Sequence, residues 1–286
     1  MRRSAEPRVT DTFAEAVTRL ADARPPVRLG GLYTLELLGQ DSPAQRQPIV
    51  DVLCAYLRMP WSATGDDRAV RRAAQQILTR HLRPGVPAMF WPGLSVDLTG
   101  AHLVALDLTE CRIDGVASFD RAVFTEQTQF RGVAFGAEAR FRGAVFTGHA
   151  WFDSASFGRS AHFETAAFHG DAWFGQVNVA GDAGFSGAVF GGHAWFAGAV
   201  VAGRTTMNDV IFQRSAGFRG ARFEGGTVLV GATFRGPARV SRRGHGWNVC
   251  PPGWGVETDP DNGGVGHLQW VGAIDAPDTR TTVTPA

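Results

Sequence analysis

The spacing of phenylalanine in the middle of the chain is the feature that most restricts the possible folds. Large apolar residues recur first every five positions and then alternately every five and six positions between residues 98 and 240, which gives 27 repeat centres. From Phe119 onward, 18 of the 23 centres are Phe, and the residue two positions earlier is Ala in 17 cases and Thr or Val in the others. Residues two apart in an extended segment share a face, so the centre and the small residue point to the same side.

This spacing excludes the two commonest arrangements of regular structure. A helix of 3.6 residues per turn would distribute the Phe side chains around its whole circumference. Turns every five or six residues leave strands too short for antiparallel hairpins. A coil with four short sides satisfies the pattern, because each side then places one large and one small residue inside, and successive coils pair in parallel at about 4.8 Å. We therefore predict a mainly β fold, a four-sided parallel β-helix of six to seven coils over residues 97–240, with 22 residues in most coils.

Outward positions repeat at the same interval, which supports the coil. Trp151, Trp173 and Trp195 are spaced 22 residues apart, and the segment FTGHAWF at 146–152 recurs as FGGHAWF at 190–196. A second outward column, on another side, contains Val123, Val145, Ala167, Val189 and Ile211. These columns indicate that the coils stack in register.

The repeat resembles the motif of the pentapeptide-repeat family, in which a small residue, usually Ala, lies two positions before a central Leu or Phe. GAHLV at 100–104 matches the five-residue form, and GAVFTGHAWFDSASF at 143–157 matches a Phe-rich variant with an added residue in alternate sides. The resemblance covers about half of the chain. It implies a right-handed quadrilateral β-helix, and the right-handedness is known from the resemblance alone.

Residues 1–96 are predicted to form an α-helical cap over the first coil. Helical periodicity covers Asp11 to Ala21, Val27 to Leu38, Ser42 to Arg58 and Asp66 to Leu82, with Ser42 as an N-cap before Pro43. The stretch VRLGGLYTLELLGQDSP resembles the helical pre-domain of actinobacterial pentapeptide-repeat proteins and is weakly similar to a HEAT-type helix pair. Such a cap would cover a sheet edge that could otherwise recruit other chains.

Residues 241–273 interrupt the repeat with a segment rich in Pro, Gly and Trp. We expect a loop with a short hairpin over the last coil, with Trp247 and Trp254 buried. Residues 274–286 are polar and are expected to be a flexible tail.

Composition restricts the possible partners and the location of the protein. The 28 basic residues are all Arg, and with 27 acidic residues they give a formal net charge of +1, so direct nucleic-acid binding is not expected. The sequence contains no secretory signal and no apolar run of the roughly 18 residues that a membrane span requires. We expect a cytoplasmic protein. Cys54, Cys111 and Cys250 are far apart and lack a CxxC pair, which favours reduced and mostly buried thiols.

The outward tryptophans and their neighbours are the candidate protein-binding surface, which comprises Trp151, Trp173, Trp195, His149, Asp171 and His193. Three exposed Trp side chains on adjacent coils would present several hundred Å² of aromatic surface, a size typical of contact sites. The alternative is that the rings only stack on one another or are covered by a flanking segment. A metal site at the two His and the Asp is disfavoured, because ligands lie about 2 Å from an ion while adjacent coils are about 4.8 Å apart. We interpret these three residues as a solvated corner.

The sequence favours a non-enzymatic scaffold that binds a protein partner, or a second copy of itself, through a rigid face. No GxSxG, HExxH or Walker motif is present, and we expect no catalytic residue, metal or cofactor. A carbohydrate is an alternative ligand, since aromatic rings stack on sugars.

The resemblance implies a second hypothesis, because some members of the family mimic B-DNA and bind type II topoisomerases. Duplex DNA carries one charge per ~1.7 Å, so a mimic about 30 Å long would need roughly 18 negative charges. Residues 97–240 contain 13 acidic residues and 12 Arg, a net charge of −1, and the two signs are interleaved at Glu138, Arg140 and Arg142. The charge pattern therefore disfavours DNA mimicry. Some relatives with a similar pre-domain also carry transmembrane helices before it.

Overall fold

Four α-helices precede the repeat in a computed structural model, which describes residues 5–60, 65–235, 238–239, 254–259 and 265–270. The helices are α1 (Ala5–Leu20), α2 (Pro25–Asp41), α3 (Arg46–Arg58) and α4 (Gly65–Leu82), and a 3-10 turn covers Pro43–Gln45. Within the described part of the chain, no helix has the length and apolar character needed to cross a membrane.

Short parallel strands then stack into four faces, which we name A, B, C and D in chain order. Face A contains β1 (Val96–Asp97), β4 (Ala117–Ser118), β8 (Ala139–Arg140), β12 (Ala161–His162), β16 (Ala183–Gly184), β20 (Thr205–Thr206) and β24 (Thr227–Val228). Face B contains β2 (His102–Val104), β5 (Val123–Thr125), β9 (Val145–Phe146), β13 (Ala167–Phe168), β17 (Val189–Phe190), β21 (Ile211–Phe212) and β25 (Thr233–Phe234). Face C contains β6 (Thr128–Gln129), β10 (Ala150–Trp151), β14 (Ala172–Trp173), β18 (Ala194–Trp195), β22 (Ala216–Gly217) and β26 (Ala238–Arg239). Face D contains β3 (Arg112–Ile113), β7 (Ala134–Phe135), β11 (Ser156–Phe157), β15 (Asn178–Val179), β19 (Val200–Val201) and β23 (Arg222–Phe223).

The strand register confirms the predicted coil. Phe124 pairs with Phe146 and Phe146 with Phe168, a step of 22 residues. The first coil is one residue shorter, because Val96 pairs with Ala117. On face C the first coil contributes only a bridge between Asp107 and Gln129. Six coils are complete in the described residues and a seventh begins, as the spacing of the repeat centres predicts.

Stacks of Phe rings fill most of the interior on faces A, B and C. On face D the stack is limited to Phe135 and Phe157, and Val179 and Val201 follow. On face B, the ring centroids of Phe124 and Phe146 are 4.5 Å apart and the rings are parallel, at 0°. Rings from the opposite faces C and A meet edge to face, as Phe130 and Phe141 do at 5.4 Å and 89°. Phe223 is the one described repeat centre that is not fully buried. Aromatic pairs of these geometries contribute about 0.5–1.5 kcal/mol each beyond the burial of their area.

Two glutamines from the helices cover the open edge of the first coil. Gln47 of α3 accepts a hydrogen bond from the Ser95 N–H at 2.8 Å and donates one to the Ser95 carbonyl at 3.0 Å. Gln75 of α4 accepts one from the Val104 N–H at 3.1 Å and donates one to the Val104 carbonyl at 2.9 Å. Each side-chain amide thus replaces the backbone of a missing preceding coil, which confirms that the helices cover this edge.

Residues of α4 and the segment after it continue this cover along face C. The Thr79 hydroxyl donates to the Asp107 carbonyl at 2.9 Å, and Arg83 Nε donates to the Thr109 carbonyl at 3.1 Å. α4 is therefore fixed to the first coil by contacts on two faces.

A buried tryptophan joins the helices to one another. Trp91 is 1% exposed and stacks on His81 with ring centroids 3.8 Å apart. Gly39 also lies against the indole, and a Cβ there would be 2.3 Å from the Trp91 ring. The His81 ring bonds with Glu36 Oε1 through Nε2 at 2.9 Å and with the Met89 carbonyl through Nδ1 at 2.6 Å. Glycine at position 39 is thus required for the close approach of the indole.

The starts of the first three helices differ from the prediction by two or more residues. α1 begins at Ala5 and α2 at Pro25, because proline in the first helical turn lacks an N–H that would have no partner there. The prediction of Ser42 as an N-cap was wrong for α3, which begins at Arg46 after the 3-10 turn. The Ser42 side chain makes no capping hydrogen bond, and its N–H donates to the Leu38 carbonyl at 2.9 Å.

A hairpin follows the repeat within the predicted C-terminal region. It pairs β27 (Trp254–Asp259) with β28 (Val265–Trp270) in antiparallel register, and β28 lies beside β25. Trp247 and the predicted flexible tail lie outside the described residues, and the burial of the Trp254 side chain stays a prediction.

Replacing Gln75 tests the edge cover. Gln75→Ala leaves the Val104 N–H and carbonyl without their partners, and we expect it to lower the free energy of unfolding by about 1–3 kcal/mol. Gln76→Ala, at the next and exposed position, is the matched control and should change stability by less than about 0.5 kcal/mol. Urea unfolding followed by circular dichroism measures both, and equal stability of the two variants would contradict the capping role.

The buried hydroxyl of Thr205 offers a second test. Thr205 is 0% exposed at an inward small-residue position, and its Oγ1 has no hydrogen-bond partner. Valine has the same shape and occupies the equivalent positions 177 and 210. We expect Thr205→Val to raise the free energy of unfolding by about 1–2 kcal/mol, because it removes an unpaired buried hydroxyl. Thr206→Val, on the outward side, should have little effect, and a loss of stability in Thr205→Val would refute this account.

Candidate protein-interaction face

Face C presents tryptophan on three adjacent coils. β10, β14 and β18 pair in register, so that Trp151 lies opposite Trp173 and Trp173 opposite Trp195. The residues before and after each Trp, Ala and Phe, are buried, so the alternation of the strand directs the indoles outward. We name these three residues the Trp column. Its register was predicted correctly, and its role as a binding surface stays a prediction.

The first two indoles form a packed pair. The ring centroids of Trp151 and Trp173 are 4.8 Å apart, with an interplanar angle of 2°. The His149 ring contacts both indoles at an angle of 62°, with centroid distances of 5.6 and 5.4 Å. The guanidinium carbon of Arg131 lies 5.1 Å from the centroid of Trp151. A cation over an indole adds an attractive electrostatic contact, so the pair has a defined orientation.

Trp195 has a different orientation. Its ring lies over Gly217 on the next coil, where a Cβ would be 2.5 Å from the indole. The His193 ring lies 5.8 Å from Trp195 between centroids, at 23°. The absence of a side chain at position 217 therefore provides the space into which Trp195 tilts.

All three indoles are partly exposed. The column therefore lies between the two alternatives, an exposed aromatic surface and a set of rings that are covered by one another. Each has intermediate burial, and none is among the strongly exposed large apolar residues. Trp151 and Trp173 cover each other by stacking, while part of each indole stays accessible to solvent. Within the described residues, the ring contacts of the Trp column come from face C and its corners.

His149, Asp171 and His193 occupy one corner position on three coils, and the first two accept hydrogen bonds from the backbone of the following coil. The Asp171 N–H donates to His149 Nδ1 at 3.0 Å, and the His193 N–H donates to Asp171 Oδ1 at 2.8 Å. The interpretation of these residues as a solvated corner was thus incomplete, because the His149 and Asp171 side chains form hydrogen bonds that join adjacent coils. Similar bonds join other corners, as between Asp182 Oδ1 and the Arg204 N–H at 2.8 Å.

The three corner side chains do not converge on one point. His149 Nδ1 lies 3.9 Å from Asp171 Oδ2, and the two histidines are two coils apart. Across the described part of the chain, no group of three or more His, Cys, Asp or Glu side chains is arranged to hold a metal ion.

Charges on the solenoid are paired locally. Arg131 Nε lies 3.8 Å from Asp153 beside the Trp column, and burial raises the pKa of the Asp153 carboxyl above its ordinary value despite this neighbour. Elsewhere on the solenoid, ion pairs join Arg140 to Glu138 at 2.5 Å, Arg142 to Glu164 at 3.2 Å, and Arg112 to Asp114 at 2.5 Å. These pairs interrupt any continuous stripe of negative charge.

A groove between α4 and the first coil was not predicted. Its volume is about 520 Å³, and its lining residues include Arg72, Gln76, Arg80, Arg83 and Asp107. The spacing of Arg72, Gln76 and Arg80 at four residues does indicate one exposed helix face. The sequence could not show that this face borders Asp107, because the position of α4 depends on tertiary contacts.

Two of the three thiols are buried. Cys54 and Cys111 are each 1% exposed and unpaired, and burial raises the pKa of each to about 12. Both positions agree with the prediction, and Cys250 lies outside the described residues.

These thiols should be chemically inert in the folded protein. At pH 8 almost no thiolate forms at a pKa of about 12, and the thiolate is the reactive species. In a Cys250→Ser variant, we expect iodoacetamide to leave Cys54 and Cys111 unmodified in buffer and to modify both in urea. Mass spectrometry gives the result, and rapid modification in buffer would show that the burial is incomplete in solution.

Comparison with known proteins agrees with the geometry of the coil. A family model described as pentapeptide repeats (9 copies) matches residues 108–156, 152–200 and 163–211. No curated protein and no solved structure matches the chain. The matched residues all lie within the four-sided coil and contain the Trp column. The chain is therefore a pentapeptide-repeat protein.

Proposed function

We propose that this protein is a non-enzymatic scaffold whose Trp column binds a protein partner. The observation that carries the proposal is the alignment of three partly exposed indoles on one flat parallel sheet. Tryptophan is enriched among the residues that contribute most to protein–protein affinity. Its amphipathic ring also supplies contact area with few rotatable bonds.

The packing of the column supports this use. Trp151 is held by Trp173, His149 and Arg131, so its side chain loses little conformational freedom when a partner binds. A preorganised side chain lowers the entropic cost of association. Asp153 and Arg131 beside the column would form a polar rim, which is the usual surround of an aromatic contact.

The charge distribution favours this function over DNA mimicry. A binder of type II topoisomerase by imitation of DNA would need a continuous negative surface, whereas the described acids on the solenoid are paired with Arg on several coils. Self-association through the Trp column is included in the proposal as binding to a second copy. A cytoplasmic location and an actinobacterial type of N-terminal region also remain proposals.

The test compares the wild type with a triple variant, Trp151→Ser, Trp173→Ser and Trp195→Ser. Size-exclusion chromatography with light scattering gives the oligomeric state, and pull-down from a lysate of the source organism gives the captured proteins. We expect the wild type to form a dimer or retain a specific protein, and the triple variant to lose that species, because it removes the aromatic contact area.

A second triple variant controls for general effects of surface substitution. Val123→Ser, Val145→Ser and Val189→Ser change three partly exposed outward residues of face B, two of them on coils that carry the Trp column. This variant should behave as the wild type, and circular dichroism should show that both variants are folded. Equal behaviour of all three proteins would reject the Trp column as the working surface.

A further inference from the structure

The groove beside α4 carries an excess of positive charge. Three arginines line it, Arg72, Arg80 and Arg83, and Asp107 is the one acidic residue in its lining. The whole chain has a formal net charge of only +1, so this concentration of positive charge is local. The guanidinium group binds carboxylates through two parallel hydrogen bonds.

The three arginines differ in their existing contacts. Arg80 pairs with Glu36, and Arg83 is bonded to the Thr109 carbonyl and lies 4.0 Å from Asp107. Arg72 is exposed and has neither a hydrogen bond nor an ion pair within the residues that the structure describes. Contacts within the fold explain Arg80 and Arg83, which join α4 and the residue after it to α2 and to the first coil. They do not explain Arg72, which lies near the middle of α4.

The shape of the groove favours an extended ligand. The helix rises 1.5 Å per residue, so the Cα atoms of Arg72 and Arg80 are about 12 Å apart. An extended peptide of four residues spans about 13 Å, and its alternate side chains are about 7 Å apart on one side.

The groove also lies on the same face as the Trp column. Asp107 pairs with Gln129 at the start of face C, and Trp151 follows Gln129 on the next strand. Two coils, about 10 Å, separate Asp107 from Trp151 along the face. A protein that contacts the Trp column can therefore reach the groove.

We infer that the α4 groove binds an acidic, extended segment of the protein partner, with Arg72 as a direct contact to a carboxylate. The inference rests on the proposed function, because the acidic segment is taken to belong to the same protein that binds the Trp column. Charge complementarity supports it, and the scarcity of acidic residues in the groove leaves Arg72 available.

Fluorescence anisotropy with a labelled peptide tests the inference on the full chain. The probe is a peptide of alternating Glu and Ser, about eight residues long, and the control peptide has Gln in place of Glu. We expect the Glu peptide alone to bind, and its affinity to fall as the salt concentration rises. Arg72→Gln and Gln76→Glu should each raise its Kd about two- to fivefold, the range of an exposed ion pair.

Arg159→Gln is the matched control, because it removes the same charge at an exposed position between faces D and A. It should leave the Kd unchanged. The inference is overturned if the Glu peptide binds no better than the Gln peptide, or if Arg72→Gln and Gln76→Glu bind as the wild type does. It is also overturned if pyrophosphate or duplex DNA binds more tightly than the peptide in an Arg72-dependent way. The triple Trp variant should bind the peptide normally, so failure of this inference is distinguishable from failure of the Trp column.

Discussion

The agreement between two repeat distances holds the whole solenoid together. Parallel strands are about 4.8 Å apart, and the stacked rings inside the coil have centroids separated by similar distances, from 4.5 Å between Phe124 and Phe146 to 5.1 Å between Phe163 and Phe185. Backbone hydrogen bonds and ring stacking therefore favour the same register. A slip by one side would place five-residue sides against six-residue sides and break both interactions at once.

Parallel stacking leaves unpaired backbone N–H and carbonyl groups at each end of the solenoid, where a coil has no neighbour. The first coil has backbone groups that face away from the second, and a bare parallel edge invites pairing with another chain. Gln47 and Gln75 satisfy these groups with side-chain amides that carry the donor and the acceptor of a peptide unit. The helical region thus completes the solenoid chemically, and its own packing around Trp91 keeps the two glutamines in place.

The sequence predicted those features that depend on the period of the chain. The four faces, the 22-residue step and the outward Trp column all follow from the spacing of large and small residues, because the interior accepts only that alternation. Features that depend on single contacts were not predictable. Trp195 departs from the stack because Gly217 leaves space beside it. Ser42 ends α2 without capping α3, since the 3-10 turn separates the two helices. The α4 groove depends on a docking angle that no periodicity encodes.

The two candidate binding features, the Trp column and the α4 groove, depend on different parts of the fold. The Trp column is set by the strand register, so its indoles keep their spacing as long as the coils stack. The α4 groove is set by the docking of a helix on the first coil, and Gln75 and Thr79 of that helix bond to Val104 and Asp107 at its border. The contacts that close the sheet edge therefore also fix the position of Arg72 relative to face C. Loosening the cap would change the groove while leaving the Trp column intact, because the column begins two coils further along the solenoid.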